Sequence, residues 1–456
     1  MQAFFLILMF AATFGSIIFG VRVMLALIVM PLLIAGLAAL FGSFDAYLLT
    51  AIPQRVFGIL ANPVLQAVPL FILMGKVLEH SGLVEDLLNS LAQPGSGNGM
   101  RLGFGVLLIA VVIAASTGIV GATITLLGVI ALPAMLRSGL SEKLSAGLIC
   151  ASGSLGQIIP PSIMLVLLAD QISNAWQASQ RASGNFSVEP VTVGHVFAAA
   201  IVPGLVLAIL YGIWFVFSIQ NQSGNTPASP KNEADDFAAT PGYFHHLPVF
   251  IILLAVPATI LFGFATATEA ASLGAALAVL LMAIQKGAAF ISPRVSRVLT
   301  ETLELTGVIF GIIFGASVLS LVFRGLEGDI YVEAILSAMP GEALGALLFI
   351  MLVIFLLGFI MEFVEIVFIV VPVAAPVLFV LGVDPIWFAV LVAINLQISF
   401  LTPPLGISLF YFQSVSDISA AKLYSAVVPF IVLQIIALGL VFIVPELATW
   451  LPDQLF

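Results

Sequence analysis

Two proline pairs interrupt long apolar stretches, and polar residues gather around both. The first pair lies in ASGSLGQIIPPS at 151–162 and the second in LTPPLGIS at 401–408. A proline inside a helix removes a hydrogen bond and clashes with the preceding turn, and the residue before it leaves α geometry. Each break therefore frees carbonyl oxygens on one side and amide N–H groups on the other. Such a loop can bind a small hard cation and offer a positive helix end to an anion.

The candidate binding residues are those that bring oxygen atoms or unwound backbone to these breaks. At the first break they are Ser152, Ser154, Gly156, Gln157, Ile159, Pro160, Pro161 and Ser162. The matching residues of the second break are Asn395, Gln397, Ser399, Thr402, Pro403, Pro404 and Gly406. Cation coordination by hydroxyl and carbonyl oxygens is one reading of both sets. The alternative is that the glycines only permit close packing of helices.

The stretch 102–136 has no charged residue and is too long for one crossing. As a straight helix its 35 residues would measure ~52 Å against a hydrocarbon core of ~30 Å. The sequence therefore predicts a re-entrant hairpin, and a second one over 343–381. The first tip adds the candidate residues Ser116, Thr117 and Gly118. Alternatively, Thr117 only caps the returning leg.

Glu362 and Glu365 are the only carboxylates deep inside a long apolar run. They are three residues apart, which predicts that they share one helical face. A charge at this depth costs several kcal/mol unless it is solvated or paired, so ion coupling or substrate contact is expected. Alternatively, Glu362 caps the returning leg. Asp170 and Glu269 are expected near helix ends, in solvated interfacial positions.

The composition requires a membrane protein. Of the 456 residues 62% are hydrophobic and 8% charged, whereas a soluble domain averages about 25% charged residues. Apolar runs of this length predict spanning helices and an all-α fold. The net charge of −10 and the absence of a basic tract argue against nucleic-acid binding. The single cysteine excludes an internal disulfide framework. The sequence has no HExxH spacing, which argues against a metal-protease site, and no phosphate-cradling loop, which argues against an ATP site.

The two halves of the chain resemble each other at a shift of 243 residues. The shift superimposes Gly20 on Gly263, Gly139 on Gly382, and Pro160-Pro161 on Pro403-Pro404. With hairpins counted as non-crossing, each half has an odd number of crossings, so the second half is inverted. With the N-terminus outside, ten of the 13 basic residues lie inside and only Arg55, Arg181 and Arg324 outside, in line with the positive-inside rule.

The predicted organisation is two inverted repeats joined by a linker. Residues 1–218 form the first repeat, with a hairpin at 102–137 and a broken helix at 141–170. Residues 219–246 form a polar cytoplasmic linker. Residues 247–456 form the second repeat, with a hairpin at 343–381 and a broken helix at 384–415. Inverted repeats with interrupted helices at mid-depth are typical of secondary transporters.

Several segments resemble the large membrane subunit of tripartite ATP-independent periplasmic (TRAP) transporters. These are FILMGKVLEHSGLVEDLL at 71–88, the run from 115 to 163, ATEAASLGAALAVLL at 267–281 and the run from 381 to 410. The resemblance implies a sodium-coupled elevator importer of organic acids in a bacterial inner membrane. A transport domain of both hairpins and both broken helices would move against a scaffold of the remaining helices. A small membrane subunit and a periplasmic substrate-binding protein would be its partners.

The resemblance also implies two sodium sites and no other cofactor. One sodium ion would sit near Ser116, Gly118, Gly156, Ile159 and Pro161. The second would sit near Glu362, Ser399, Thr402 and Pro404. The family's second tip commonly carries Asp-Pro where this chain has Glu362-Phe363, and Glu365 is additional.

The substrate is expected to be a C4-dicarboxylate, a 2-oxo acid or a similar carboxylate. No arginine or lysine is expected among the four breaks, so helix N-termini and bound sodium would balance its charge. Two alternatives remain. The chain could be a stand-alone ion:carboxylate symporter or antiporter, or, more remotely, an intramembrane enzyme that uses Glu362 and Glu365.

Overall fold

The computed structural model describes residues 1–82, 99–117, 120–222, 247–286 and 293–456. Throughout these ranges the chain is built from helices, with no β-strand. The predicted all-α fold is therefore confirmed. Most of the predicted 219–246 linker lies outside the described residues.

The helices are numbered in chain order. Those of the first half are α1 (Gln2–Ile18), α2 (Val23–Leu40), a 3₁₀ helix (Ala46–Ala51), α3 (Ile52–Ala61), α4 (Pro63–His80), α5 (Gly99–Thr117), α6 (Val120–Arg137), α7 (Glu142–Leu155), α8 (Ile163–Ala182) and α9 (Val193–Gln222). Those of the second half are α10 (Leu247–Leu261), α11 (Ala267–Lys286), α12 (Pro293–Gly325), α13 (Gly328–Ser337), α14 (Glu342–Leu357), α15 (Phe363–Val380), α16 (Pro385–Leu401), α17 (Ile407–Gln413), α18 (Ala420–Ile443) and α19 (Glu446–Leu455).

The helices include enough apolar length for a multi-pass membrane protein. Seven of those described could cross a bilayer, or nine if each of two bent pairs forms one span. One pair is α4 with the helical segment before it, bent by 56°, and the other is α13 with α14, bent by 120°. Asn62 lies at the first bend, directly before Pro63, where the missing N–H of proline costs no helical hydrogen bond.

Helix boundaries repeat at the spacing found in the sequence. Helices α6 and α15 are both 18 residues long, and their first residues, Val120 and Phe363, are 243 positions apart. The first residues of α5 and α14, and those of α7 and α16, are separated by the same interval. Within each half the two hairpin legs, α5 with α6 and α14 with α15, pack against each other.

Turn glycines repeat as well. Positive φ angles occur at matched positions in the two halves, at Gly20 (87°) with Gly263 (70°) and at Gly139 (88°) with Gly382 (95°). All four follow a helix, where glycine adopts the left-handed conformation without a Cβ clash. The repeated sequence signal therefore marks repeated helix ends.

The chain divides into two compact units, and each draws on three separate segments. The first unit contains Met1–Gln66, Leu167–Thr192 and Leu303–Ala389. In it α1 packs on α2, and α13 and α14 pack on α15. Helix α2 also approaches α12 closely, because a Cβ atom at Gly315 would lie only 2.7 Å from the Cβ atom of Leu27.

The second unit contains Ala67–Val166, Val193–Thr302 and Val390–Phe456. Its centre is α7, which packs against α5, α6, α9 and α18. A Cβ atom at Gly147 of α7 would lie 2.4 Å from the carbonyl oxygen of Ala426 on α18. Small residues permit such close backbone approach, which supplies van der Waals packing between membrane helices.

The second unit also contains an ion-pair network around Glu301. Its carboxylate lies 3.2 Å from Nζ of Lys76, 3.0 Å from Nε2 of His80 and 2.9 Å from Nε of Arg297. Lys76 is also 2.8 Å from Glu79. The Lys76 side chain is only 11% exposed, so these carboxylates neutralise a mostly buried charge.

Candidate functional site

The first break is a buried interruption between two helices. Helix α7 ends at Leu155 and α8 begins at Ile163, so residues 156–162 are non-helical. At the other end of α7 the Ser141 hydroxyl accepts a hydrogen bond from the Leu144 amide at 3.3 Å. The peptide bond between Pro160 and Pro161 is cis. All break residues are buried except Ile159, which is half-buried.

The hydroxyl groups at the first break are turned toward the backbone. Ser152 donates to the carbonyl oxygen of Leu148, and Ser154 to that of Ala151 at 2.8 Å. Ser162 donates to the carbonyl oxygen of Gln157 at 2.6 Å. Ser162 also accepts a hydrogen bond from the Leu165 amide at 3.5 Å. Because the Ser152 and Ser154 hydroxyls donate their protons to the backbone, their oxygen lone pairs remain available to a cation.

The break also contains acceptors that nothing in the described chain satisfies. The carbonyl oxygens of Ile159, Pro160 and Pro161 accept no hydrogen bond there, and Oε1 of the buried Gln157 side chain has no partner. Buried acceptors without a partner cost free energy. A cation or water that touches these oxygens would remove that cost.

The second break lies between α16, which ends at Leu401, and α17, which begins at Ile407. Ser399 and Thr402 donate to the carbonyl oxygens of Leu396 and Ile398 at 2.8 and 2.6 Å. The amide of Gly406 donates to the carbonyl oxygen of Thr402 at 3.0 Å. A Cβ atom on Gly406 would lie 2.6 Å from the Phe400 carbonyl oxygen, so only glycine fits this turn.

The second break is more exposed than the first. Pro403, in a cis peptide with Pro404, is half-buried, and Pro404 and Leu405 are exposed. The hydroxyl of Tyr424 donates to the Pro404 carbonyl oxygen at 3.4 Å. On α16, before the break, Asn395 is buried, and the fully buried Gln397 side chain has no partner for either amide atom within the described ranges.

The second unit brings both breaks together with the returning leg of the first hairpin. Helix α17 packs against α6 and α7. A Cβ atom on Gly121 of α6 would lie 2.5 Å from the ring of Tyr411, and one on Gly153 of α7 would lie 2.5 Å from Ile124. Small residues therefore let α6, α7 and α17 meet.

The first tip is only partly described. Ser116 and Thr117 are the last two residues of α5, and their side chains are outside the description. Gly118 itself lies outside the described residues. The predicted contact of this tip with a sodium ion stays a prediction.

At the second tip the two carboxylates differ in position and in burial. Glu362 is the N-cap of α15 with extended backbone (ψ 171°), makes no side-chain capping hydrogen bond, and is exposed. Glu365 lies in the first helical turn, is 2% exposed, and its Oε2 atom has no partner in the described chain. Because α15 begins after Glu362, helical spacing alone does not relate the two side chains, and the shared face stays a prediction.

Of the two carboxylates expected near helix ends, Asp170 and Glu269, the second lies where the sequence predicts. Glu269 lies in the first turn of α11 and is exposed. Its Oε2 atom accepts hydrogen bonds from the amide and hydroxyl of Thr266 at 2.8 and 2.9 Å, and its amide donates to the Thr266 hydroxyl at 3.3 Å. This is a reciprocal cap, which explains the carboxylate without a transport role.

The two interrupted helices and their flanking hydroxyl groups agree with the resemblance of the sequence to TRAP transporter large subunits. The family model "Tripartite ATP-independent periplasmic transporter, DctM component" matches residues 10–447. The chain belongs to the DctM family. It is therefore a multi-pass permease component of a bacterial three-part transporter, whose other parts are a small permease and a periplasmic binding protein.

Relatives in the DctM family align along most of the chain. The C4-dicarboxylate TRAP transporter large permease protein DctM of Rhodobacter capsulatus is 29% identical over 449 residues, which cover 96% of this chain and 99% of that protein. The sialic acid TRAP transporter large permease protein SiaM of Vibrio cholerae is 26% identical over 403 residues, or 88% of each chain. The crystal structure of the Alcanivorax borkumensis YdaH transporter shares the fold, with a TM-score of 0.62 at 16% identity and 90% coverage of each chain.

Sequence reasoning missed two tyrosines at the site. Tyr411 lies against Gly121, and Tyr424 bonds to the second break. A single aromatic residue on an apolar helix carries no local signal of such a role. Both contacts depend on how α6, α17 and α18 pack.

Proposed function

We propose that this DctM-family chain is the large permease of a sodium-coupled importer of organic acids. The proposal includes a bacterial inner-membrane location with the N-terminus outside. The observation that carries it is the buried first break. There, carbonyl oxygens that accept no hydrogen bond from the described residues share the break with serine hydroxyls that donate to the backbone.

Sodium suits this donor set. Carbonyl and hydroxyl oxygens are hard, neutral ligands, which favour hard cations over transition metals. We assign one ion to Ser116, Gly118, Gly156, Ile159 and Pro161, and a second to Glu362, Ser399, Thr402 and Pro404. The two assignments follow the sequence resemblance, and the unpartnered carbonyls of Ile159 and Pro161 support the first.

The substrate class follows from the relatives and from helix electrostatics. The proteins from Rhodobacter capsulatus and Vibrio cholerae are named for a C4-dicarboxylate and for sialic acid, both organic acids. Helix α8 begins at the first break, and its N-terminus favours an anion. Bound sodium next to it would balance further negative charge.

We further propose an elevator motion. The two hairpins and the two broken helices would move as a transport domain, while the other helices serve as the scaffold. The close packing of α6, α7 and α17 supports this in part, because a moving site needs its oxygen atoms on elements that travel together.

Reconstitution tests the proposal. The large and small membrane subunits are placed in proteoliposomes with the binding protein outside, and uptake is measured with and without an inward sodium gradient. We expect uptake to require both the gradient and the binding protein. Full uptake without the binding protein would instead support a stand-alone carboxylate symporter or antiporter, and full uptake without sodium would contradict the coupling.

A pair of serine variants links uptake to the first break. Ser154 donates to the carbonyl three residues earlier at 2.8 Å. Ser138, which precedes the opposite end of α7 from the first break, makes the same kind of bond to Met135 at 2.7 Å. Ser154→Ala should raise the sodium concentration for half-maximal uptake, whereas Ser138→Ala should not. Equal sodium dependence in both variants would contradict a role of the Ser154 hydroxyl in ion binding at the first break.

A further inference from the structure

The first unit contains a polar cleft that the predicted ion and substrate residues do not line. Its volume is about 300 Å³, at the lower end of the range for ligand pockets. The polar lining comes from α3, α8 and α12, and the most important residues are Arg55, Asn62, Asp170, Ser317, Ser320 and Arg324. We call this the Arg55–Arg324 cleft.

Asp170 is the only carboxylate among the lining residues, and side-chain amide groups donate hydrogen bonds to both of its oxygen atoms. Its Oδ1 atom accepts a hydrogen bond from Asn62 at 2.7 Å. Its Oδ2 atom accepts one from Gln171 at 2.8 Å and a longer one from Asn174 at 3.3 Å. The expectation of a solvated position near a helix end is wrong, because Asp170 lies inside α8 and is 7% exposed.

The two arginines of the cleft lack a close carboxylate. Arg55 forms no ion pair in the described ranges, and its Nη1 atom reaches only the Ser317 carbonyl oxygen at 3.4 Å. Arg324 lies 3.7 Å from Asp329 on α13, with both side chains about half exposed. Such a pair contributes little, because water screens it. Two guanidinium groups therefore share one small cleft with their charge largely uncompensated.

We propose that the Arg55–Arg324 cleft binds the carboxylate of an organic acid on the outer side of the membrane. The planar fork of a guanidinium matches a carboxylate with two parallel hydrogen bonds. The hydroxyls of Ser317 and Ser320 add donors, and Leu65, Ile313 and Phe368 line the cleft with apolar surface for a carbon skeleton. The outer location and the link to uptake rest on the proposed function.

The cleft contains arginine side chains, which are not expected at the hairpin tips and helix breaks. The charge distribution predicted from the sequence puts only Arg55, Arg181 and Arg324 outside, and two of these three line the cleft. A concentration of positive charge at an entrance raises the local concentration of anions and their rate of association. The cleft would hold the acid before it reaches the ion-bound site.

Chemical protection tests the binding site without transport. The complex of the two membrane subunits in phosphatidylcholine nanodiscs is treated with phenylglyoxal, and modification of each arginine is quantified by peptide mass spectrometry. Sodium succinate should slow modification of Arg55 and Arg324 at least threefold relative to sodium chloride of equal ionic strength. Exposed Arg181, whose one side-chain hydrogen bond within the described ranges is to Gln177 at 3.3 Å, is the matched control and should be unaffected.

The other arms separate the possible anions. Equal slowing in sodium chloride would overturn the proposal. Equal or stronger slowing by sodium phosphate would also overturn it, because the site would then not select a carboxylate. Slowing in nanodiscs with phosphatidylglycerol, without any effect of succinate, would assign the cleft to a lipid headgroup instead.

Uptake with variants tests the role of the cleft. Arg55→Gln removes a charge-assisted contact and should lower uptake from limiting loaded binding protein by roughly three- to tenfold. Arg55→Lys keeps the charge and should recover part of it, whereas Arg181→Gln should not differ from the unmodified protein. Unchanged uptake in Arg55→Gln would remove the cleft from the substrate path. If no variant takes up substrate with sodium but succinate protects, the proposed function fails while the binding site stands.

Discussion

Replacing Gly147 by alanine tests the packing that supports the first broken helix. The new Cβ atom would lie 2.4 Å from the Ala426 carbonyl oxygen and 2.8 Å from the Phe430 ring. Ordinary contact begins near 3.4 Å, and the obstacle is backbone, so α18 would have to retreat by about 1 Å. Overpacking of this kind costs ~1–3 kcal/mol, and alanine returns about 1 kcal/mol of helix propensity. We expect a net loss of up to about 2 kcal/mol.

The matched control is Gly439→Ala in α18. No atom lies within 4 Å of a Cβ at Gly439, so this variant should gain about 1 kcal/mol from propensity alone. Thermal unfolding of the purified complex, followed by intrinsic fluorescence, should show Gly147→Ala melting a few degrees below the unmodified protein and Gly439→Ala slightly above it. Gly147→Ala melting as high as Gly439→Ala would refute the close contact of α7 with α18.

Three further variants test charges and hydroxyls. Glu365→Gln should reduce the stimulation of uptake by sodium at least tenfold, because it removes a buried charge that a cation can balance. Glu333→Gln, at an exposed position on α13, is its control. An equal effect of the two variants would contradict this role. Thr402→Val should raise the sodium concentration for half-maximal uptake several-fold, because about 1 kcal/mol of binding free energy is lost with the hydroxyl. Thr402→Ser should restore the original value. An unchanged sodium concentration in Thr402→Val would argue against an ion at this hydroxyl. Glu301→Gln should lower the free energy of unfolding by roughly 1–2 kcal/mol, because the mostly buried Lys76 loses one of its two carboxylate partners. The control Lys422→Gln, which breaks an exposed pair, should change it by less than about 0.5 kcal/mol. Equal melting temperatures of the two variants would contradict the importance of the network.

Sequence reasoning succeeded where the cause is local. A proline pair interrupts a helix whatever surrounds it, and both interruptions are present, at 156–162 and 402–406. Glycines that end helices act through their own φ angle, so Gly139 and Gly382 repeat as predicted. The apolar runs and the scarcity of charge likewise determined the membrane-spanning, all-helical fold.

Sequence reasoning failed where partners are distant along the chain. Asp170 is buried because Asn62 donates to it across 108 residues, and no local pattern announces that bond. Helical spacing predicts Glu362 and Glu365 on one face, but α15 begins only after Glu362, so that spacing alone does not determine where the Glu362 side chain lies. The cleft of Arg55 and Arg324 was missed for the same reason, since its polar lining comes from three separate helices.

The interleaving of the two compact units has a consequence for biogenesis. The first unit is complete only when Ala389 has been synthesised, and the second only with the C-terminal segment. Asn62 and Arg55 therefore enter the membrane long before Asp170 and Ser317 exist to bond them. Until then, water, headgroups or insertion machinery must satisfy these polar side chains. Each compact unit draws on both halves of the chain, so neither half alone contains a complete unit.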